Sequence, residues 1–176
     1  MSYLQSSIKQ FEYYKSLGDK TLNQLSFIEL KKEFVEDSNS IAIIIKHLVG
    51  NMLSRWTNFL TEDGEKDWRQ RDNEFIDTYT SKDNIIQAWN SGWHCLFETI
   101  KSLQIDDLER IIYIRNEGHT VTEAINRQMM HYAYHIGQII FLGKLIKGKN
   151  WNSLSIPKGK SKAYNILKFQ SPLLDR

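Results

Sequence analysis

The chain is poor in the residues that build stapled, fibrous or membrane-spanning proteins. It has one cysteine, Cys95, among 176 residues, so an internal disulfide is impossible. Two prolines and nine glycines exclude a collagen-like or low-complexity chain. No stretch approaches the roughly 20 consecutive apolar residues of a membrane-spanning helix. The first residues, MSYLQSSIKQFEYYK, lack the apolar core that follows a basic start in a secretory signal. A cytoplasmic location is therefore expected. Charge of one sign is scarce too: 23 Lys and Arg stand against 21 Asp and Glu.

What is present fits one soluble domain. The length suits a single unit, and 41% hydrophobic residues suffice for a core that needs no staple. The near-neutral charge is unevenly spread. Residues 148–176 hold six Lys and Arg against one acid, Asp175, a net +5, which leaves −3 for residues 1–147. The tail lysines are scattered among Ser, Pro, Gly, Leu and Phe rather than massed, so we expect a basic tail packing on the body, and no nucleic-acid partner.

Apolar periodicity predicts helices. Leu4, Ile8, Phe11, Tyr14 and Leu17 mark the first, with Gly18 as a possible stop and Leu22 and Leu25 continuing past it. Residues 26–39 read as a short turn and a connection. Asn39 or Ser40 then caps IAIIIKHLVGNMLSRWTNFL, apolar around most of its circumference and so a buried helix. Residues 62–77, EDGEKDWRQRDNEFID, lack a period and read as a long ordered or functional loop. Thr80 with Asp83 resembles a capping box, followed by a third helix to about Leu103. Residues 106–119 predict a short strand or hairpin turning at Asn116, Glu117 and Gly118. Thr120 with Glu123 opens the last main helix, which runs to about Lys147, with Gly148 as its stop. The expected fold is all-α, four principal helices forming a bundle.

The histidines are the chemistry-bearing residues. His131 and His135 stand four apart in a predicted helix, so both rings lie on one face and can point at one ion. The segment reads HYAYH, without the glutamate of a zinc-protease HExxH. His47 lies in the most apolar helix, where a buried imidazole needs a partner. It is the strongest candidate for a third ligand; on spacing alone, structural histidines satisfied within the core remain the competing reading. His94 and Cys95 diverge by about 100° on a helix and cannot chelate as a pair. Cys95, among Trp93, Leu96 and Phe97, is expected to pack as a small inert side chain. His119 precedes the capping Thr120 and suits a surface or capping role. Phosphate-loop, dinucleotide-fold and esterase motifs are absent. Arg55, Arg69 and Arg71 are candidate contacts for an anion, each alone more in keeping with a solvated or salt-bridged residue.

One histidine in the second helix and H-x-x-x-H followed by Gly137, Gln138 and Ile139 in the last resemble the DinB/YfiT-like superfamily. The segments SIAIIIKHLVGNMLSRWTNFLTEDGEKDWRQRDNEF, MMHYAYHIGQI and IPKGKSKAYN resemble an uncharacterised bacterial branch of it. The resemblance implies an up-down-down-up four-helix bundle, often a homodimer, with a divalent metal, zinc or nickel first, held by His47, His131 and His135. It also implies a metal-dependent S-transferase acting on a low-molecular-weight thiol, of the bacillithiol kind, and an electrophilic small molecule. An ion with three neutral nitrogen ligands keeps its double charge and an open position, where it can stabilise a thiolate or activate water. The alternative is a non-catalytic dimeric metal- or ligand-binding protein of the stress response.

Overall fold

The computed structural model describes residues 2–170. Among these are six helices: α1 (Tyr3–Asn23), α2 (Phe27–Leu30), α3 (Ile41–Trp56), α4 (Lys82–Ser102), α5 (Val121–Lys147) and α6 (Ser161–Gln170). Two short strands, β1 (Ile111–Ile114) and β2 (Glu117–Thr120), pair antiparallel. The fold is thus mostly helical with one small hairpin. None of these helices is long and apolar enough to cross a membrane.

The helix starts follow from local chemistry. Ser2, Ser26, Ser40, Ser81 and Thr120 cap α1 to α5, and each hydroxyl accepts an N–H from the residue three positions on. That satisfies one of the donors a helix start leaves bare. The TSKD start is therefore shifted by one: Ser81 takes the cap, while the Thr80 hydroxyl donates to the Asn84 side chain at 2.7 Å. α3 ends at Trp56 rather than running through Phe59, because Thr57 is extended and Asn58 turns left-handed at φ 50°.

Gly18 does not stop α1. It lies in mid-helix, where a built Cβ would stand 2.5 Å from Trp89 Cζ2, so the glycine allows α1 and α4 to approach. The hairpin turn also differs from expectation. Tyr113 pairs with Gly118 and Ile114 with Glu117, leaving Arg115 and Asn116 as the two-residue turn. Both have positive φ, 56° and 61°, as the turn that matches strand twist requires.

The core lies among the four long helices. α3 packs on α4 and α5, and α1 packs on α5 and α4. At its centre, Phe11 meets Trp56, Tyr132 and Trp93 at ring separations of 6.1, 5.9 and 6.5 Å, contacts worth about 0.5–1.5 kcal/mol each beyond their burial. The start of the basic tail is tied to the body, since Gln24 bonds the Asn152 backbone in both directions. Beyond it, α6 carries no buried residue. The last six residues of the tail lie outside the described part.

Candidate metal centre

α3 and α5 lie side by side, and their polar edges carry the three histidines expected to converge. His47 comes from α3, with Ile45 and Leu48 anchoring its flanks in the core; His131 and His135 come from α5, anchored by Tyr132 and Ile136. One ring nitrogen from each lies within 4.8 Å of the chosen nitrogens of the other two. His131 Nε2 is 3.3 Å from His47 Nε2 and 3.0 Å from His135 Nε2. Nitrogens about 2.0–2.1 Å from a zinc ion stand roughly 3.3 Å apart at tetrahedral angles and roughly 2.9 Å apart at right angles. These two spacings suit neighbouring ligands of one ion.

The proton positions point the same way. His47 Nδ1 is 2.9 Å from Glu74 Oε2; a carboxylate only accepts, so this nitrogen carries hydrogen. His135 Nδ1 donates to Gln138 Oε1 at 2.7 Å, because the Gln138 amide nitrogen is itself donating to the Tyr134 hydroxyl. In neutral rings both Nε2 atoms are then bare lone pairs aimed at His131 Nε2. Burial, reinforced by His135, His47, Arg55 and Arg69, pushes His131 down to about 3, so it is neutral at physiological pH. Its single proton can satisfy one facing lone pair and leaves the other against a nitrogen. A cation between the rings relieves that conflict, and the donor set fits one.

Glu74 organises this arrangement from the loop after α3, in a 3-10 turn over Arg71–Phe75. Arg69 Nε and Nη2 grip its two oxygens at 2.7 and 3.0 Å. Burial alone would raise the Glu74 carboxyl, but the bonds from His47 and Arg69 outweigh it and hold it below its usual range. Gly50 makes room: a Cβ there would fall 2.7 Å from Glu74 Cδ and closer still to Oε1. Phe75 stacks on the His47 ring at 5.6 Å.

Two cavities meet at the histidines. One, about 180 Å³, is bordered by His47 and His131 and by five arginines: Arg55, Arg69, Arg71, Arg115 and Arg127. The other, about 300 Å³, lies against Ile43, Ile44, Phe75, Tyr134 and the same histidines. The structure thus gathers all three expected arginines at one cavity. Arg115, Arg127, Asn51, Gln128 and Glu74 were missed by sequence reasoning. Asn51 and Arg55 follow His47 at four-residue steps, and Gln128 precedes His131 by three, so the helical face could have revealed them. Tyr132, taking a bond from Trp56 Nε1, donates to Asn51 Oδ1 at 3.1 Å and ties the site to the core.

The remaining candidates stand apart. His94 is exposed. Cys95 is half-buried against the core, 3.7 Å from the Thr57 hydroxyl. His119 lies on β2, its Nε2 buried without a partner among the described residues. No curated protein matches the chain. A family profile matches residues 1–160, and the chain belongs to that family, described as a protein of unknown function (DUF1572).

Proposed function

We propose that the chain is a metal-dependent enzyme of the DinB/YfiT-like type, and that its four long helices form an up-down-down-up bundle. The activity proposed is transfer of a low-molecular-weight thiol to an electrophilic small molecule. One observation carries this reading: three imidazoles from two rigid helices turn their Nε2 atoms inward, with two of the opposite nitrogens held by Glu74 and Gln138. Such outer partners fix the ring orientation and raise ligand basicity. His47, His131 and His135 would hold the ion, zinc or nickel first, and leave part of its surroundings to a ligand. A bound divalent ion would supply a lowered thiol pKa and so a nucleophile at neutral pH.

The chain's own contribution is placement. The histidines lie where a polar cavity and a more apolar one adjoin, which suits a reaction between two unlike molecules. Cys95 lines neither cavity, so the attacking sulfur would come from the substrate. A homodimer is part of the same reading. Met130, Tyr134, Phe141 and Leu145 form an exposed apolar stripe on α5, a surface more usual for association than for solvent; light scattering at micromolar concentration tests it.

The test of function uses protein purified without a nickel column. Metal analysis should find close to one divalent ion per chain, removed by chelator. An aryl halide with a panel of thiols should then release halide only in the metal-loaded sample. The thiol proton leaves, sulfur bonds to the ring carbon, and halide departs with its electron pair. Failure of every metal tried to bind in stoichiometric amount would end this reading.

A further inference from the structure

The cavity on the arginine side has a charge that the histidines do not explain. We propose that it binds a small, multiply charged anion bearing carboxylate or phosphate groups. This names a substrate class for the site proposed above and rests on that reading for its part in a reaction, though not for the binding itself.

Five arginines border one concavity of about 180 Å³, and among the described residues no acid lines it. Two carboxylates lie behind them. Glu74 is gripped by Arg69. Glu65 Oε2 sits 3.1 Å from Arg55 Nη2, 3.1 Å from Arg115 Nε and 3.6 Å from Arg69 Nη1. Five positive charges against two negative ones leave a surplus of three. The Arg71 and Arg127 side chains make no hydrogen bond or ion pair with other described residues. Guanidinium groups crowd together in this way at a cost in repulsion, and their planar forks match carboxylate and phosphate oxygens.

A second observation is independent of charge. Gln128 is 3% exposed and lines the cavity, yet its amide makes no hydrogen bond among the described residues, and Oε1 is buried. Arg55, 6% exposed, has its Nε in the same state. Buried polar atoms without partners are rare in native proteins. Both side chains border one cavity: Arg55 Nε–H is a donor lacking an acceptor, and the Gln128 amide, turned to present its NH2 end, can donate to an anion there. The shape excludes a nucleic-acid surface, because the Arg55 and Arg69 side chains are only 7% and 2% exposed and cannot follow an extended backbone. The volume lies below the roughly 300–1,000 Å³ of sites for drug-sized ligands, so it takes a small molecule or the charged end of a larger one.

The ion and the anion should also assist each other. A divalent cation beside surplus arginines is repelled until an anion offsets them, and such coupling is reciprocal.

Calorimetric titration of the full chain tests the proposal, with inorganic phosphate and succinate as separate probes and acetate as the singly charged control. Each is run at constant ionic strength on chelator-treated and on zinc-loaded protein. We expect one saturable site for at least one dianion, weaker binding of acetate, and tighter binding of the dianion when zinc is present. Arg127→Ala and Arg71→Ala, both at exposed positions, should each weaken it roughly tenfold. Arg110→Ala, paired elsewhere with Asp107, should not. The phosphate and succinate arms decide which oxyanion is preferred. Absence of saturable binding in both protein forms, or unaltered binding in Arg127→Ala and Arg71→Ala, would overturn the proposal. Dianion binding without zinc uptake would sink the metal reading alone; zinc uptake without dianion binding would sink this one alone.

Discussion

The histidines and the Glu74–Arg69 pair that orients His47 reach the site from two unlike scaffolds. His47, His131 and His135 ride on α3 and α5, whose apolar faces are fixed in the aromatic core, so each ring's origin is set by helix geometry and packing. Arg69 and Glu74 ride on the irregular chain between α3 and α4. That chain is held by a network of polar contacts: the Ser54 hydroxyl donates to the Gly64 carbonyl at 2.6 Å, Arg55 Nη1 donates to the same oxygen, and Gly64 N–H donates to the Tyr113 carbonyl at 2.8 Å. The helical half should survive single polar substitutions with its fold intact. In the loop half, each charge is the partner of another, and removing one strands its neighbours.

The largest expected effect separates function from fold. His131→Ala should abolish stoichiometric uptake of zinc or cobalt, because two remaining imidazoles leave the ion without a third anchor. The melting transition of the metal-free protein should move by no more than about 1 kcal/mol, since among the described residues the half-buried His131 side chain has only other histidines as polar partners. Cobalt absorption and calorimetric melting on the same sample check both halves of this statement. Full-strength cobalt binding by the variant would remove His131 from the site.

A smaller effect should come from the loop. Glu74→Gln keeps an oxygen near His47 but loses the charge, and should weaken ion binding by roughly 10–100-fold. Gly50→Ala should act in the same direction without touching any ligand, because its new Cβ displaces the Glu74 carboxylate. Since both act through one contact, the double variant should be little worse than Glu74→Gln. Fully additive losses would show that Gly50 works by some route other than Glu74.

This division also explains what the sequence made legible. Apolar periodicity located the long helices, and Ser40 and Thr120 announced two of their starts, because those signals are local. The i,i+4 spacing of His131 and His135 put them on one face for the same reason. Gly18 misled because a glycine can mark a stop or a close approach, and the deciding residue, Trp89, is far along the chain. Residues 62–77 were recognised as an ordered or functional loop, but nothing in them pointed to Glu74. Its partner, His47, lies 27 positions away, and no period connects a loop carboxylate to a helical imidazole. Arg115 and Arg127 were invisible for a like reason: exposed arginines gain meaning only when the fold brings them to one concavity.

The smallest effect concerns how the loop itself is anchored. The Asp63 carboxylate accepts the backbone N–H groups of Glu65, Arg115 and Asn116 at 2.7, 2.8 and 2.8 Å, joining the loop to the tip of the hairpin. Burial opposes its charge, but these three bonds, with help from Arg55, hold its pKa below the ordinary value. Asp63→Asn replaces one accepting oxygen with an NH2 group that must face an N–H, so it should cost about 1–2 kcal/mol of stability near neutral pH. The sign with pH follows from the depressed value. The ionised carboxylate contributes fully above the unfolded pKa of roughly 3.9, and that contribution fades as pH falls toward the lower folded value. The gap between wild type and Asp63→Asn should therefore be widest at pH 6–7 and narrow below about pH 4, as urea melts at each pH can show. Ion affinity should drop only a few-fold, because Arg69 still grips Glu74 when the far end of the loop is loosened. A loss as large as that of Glu74→Gln would mean that loop and hairpin position the carboxylate as one rigid piece.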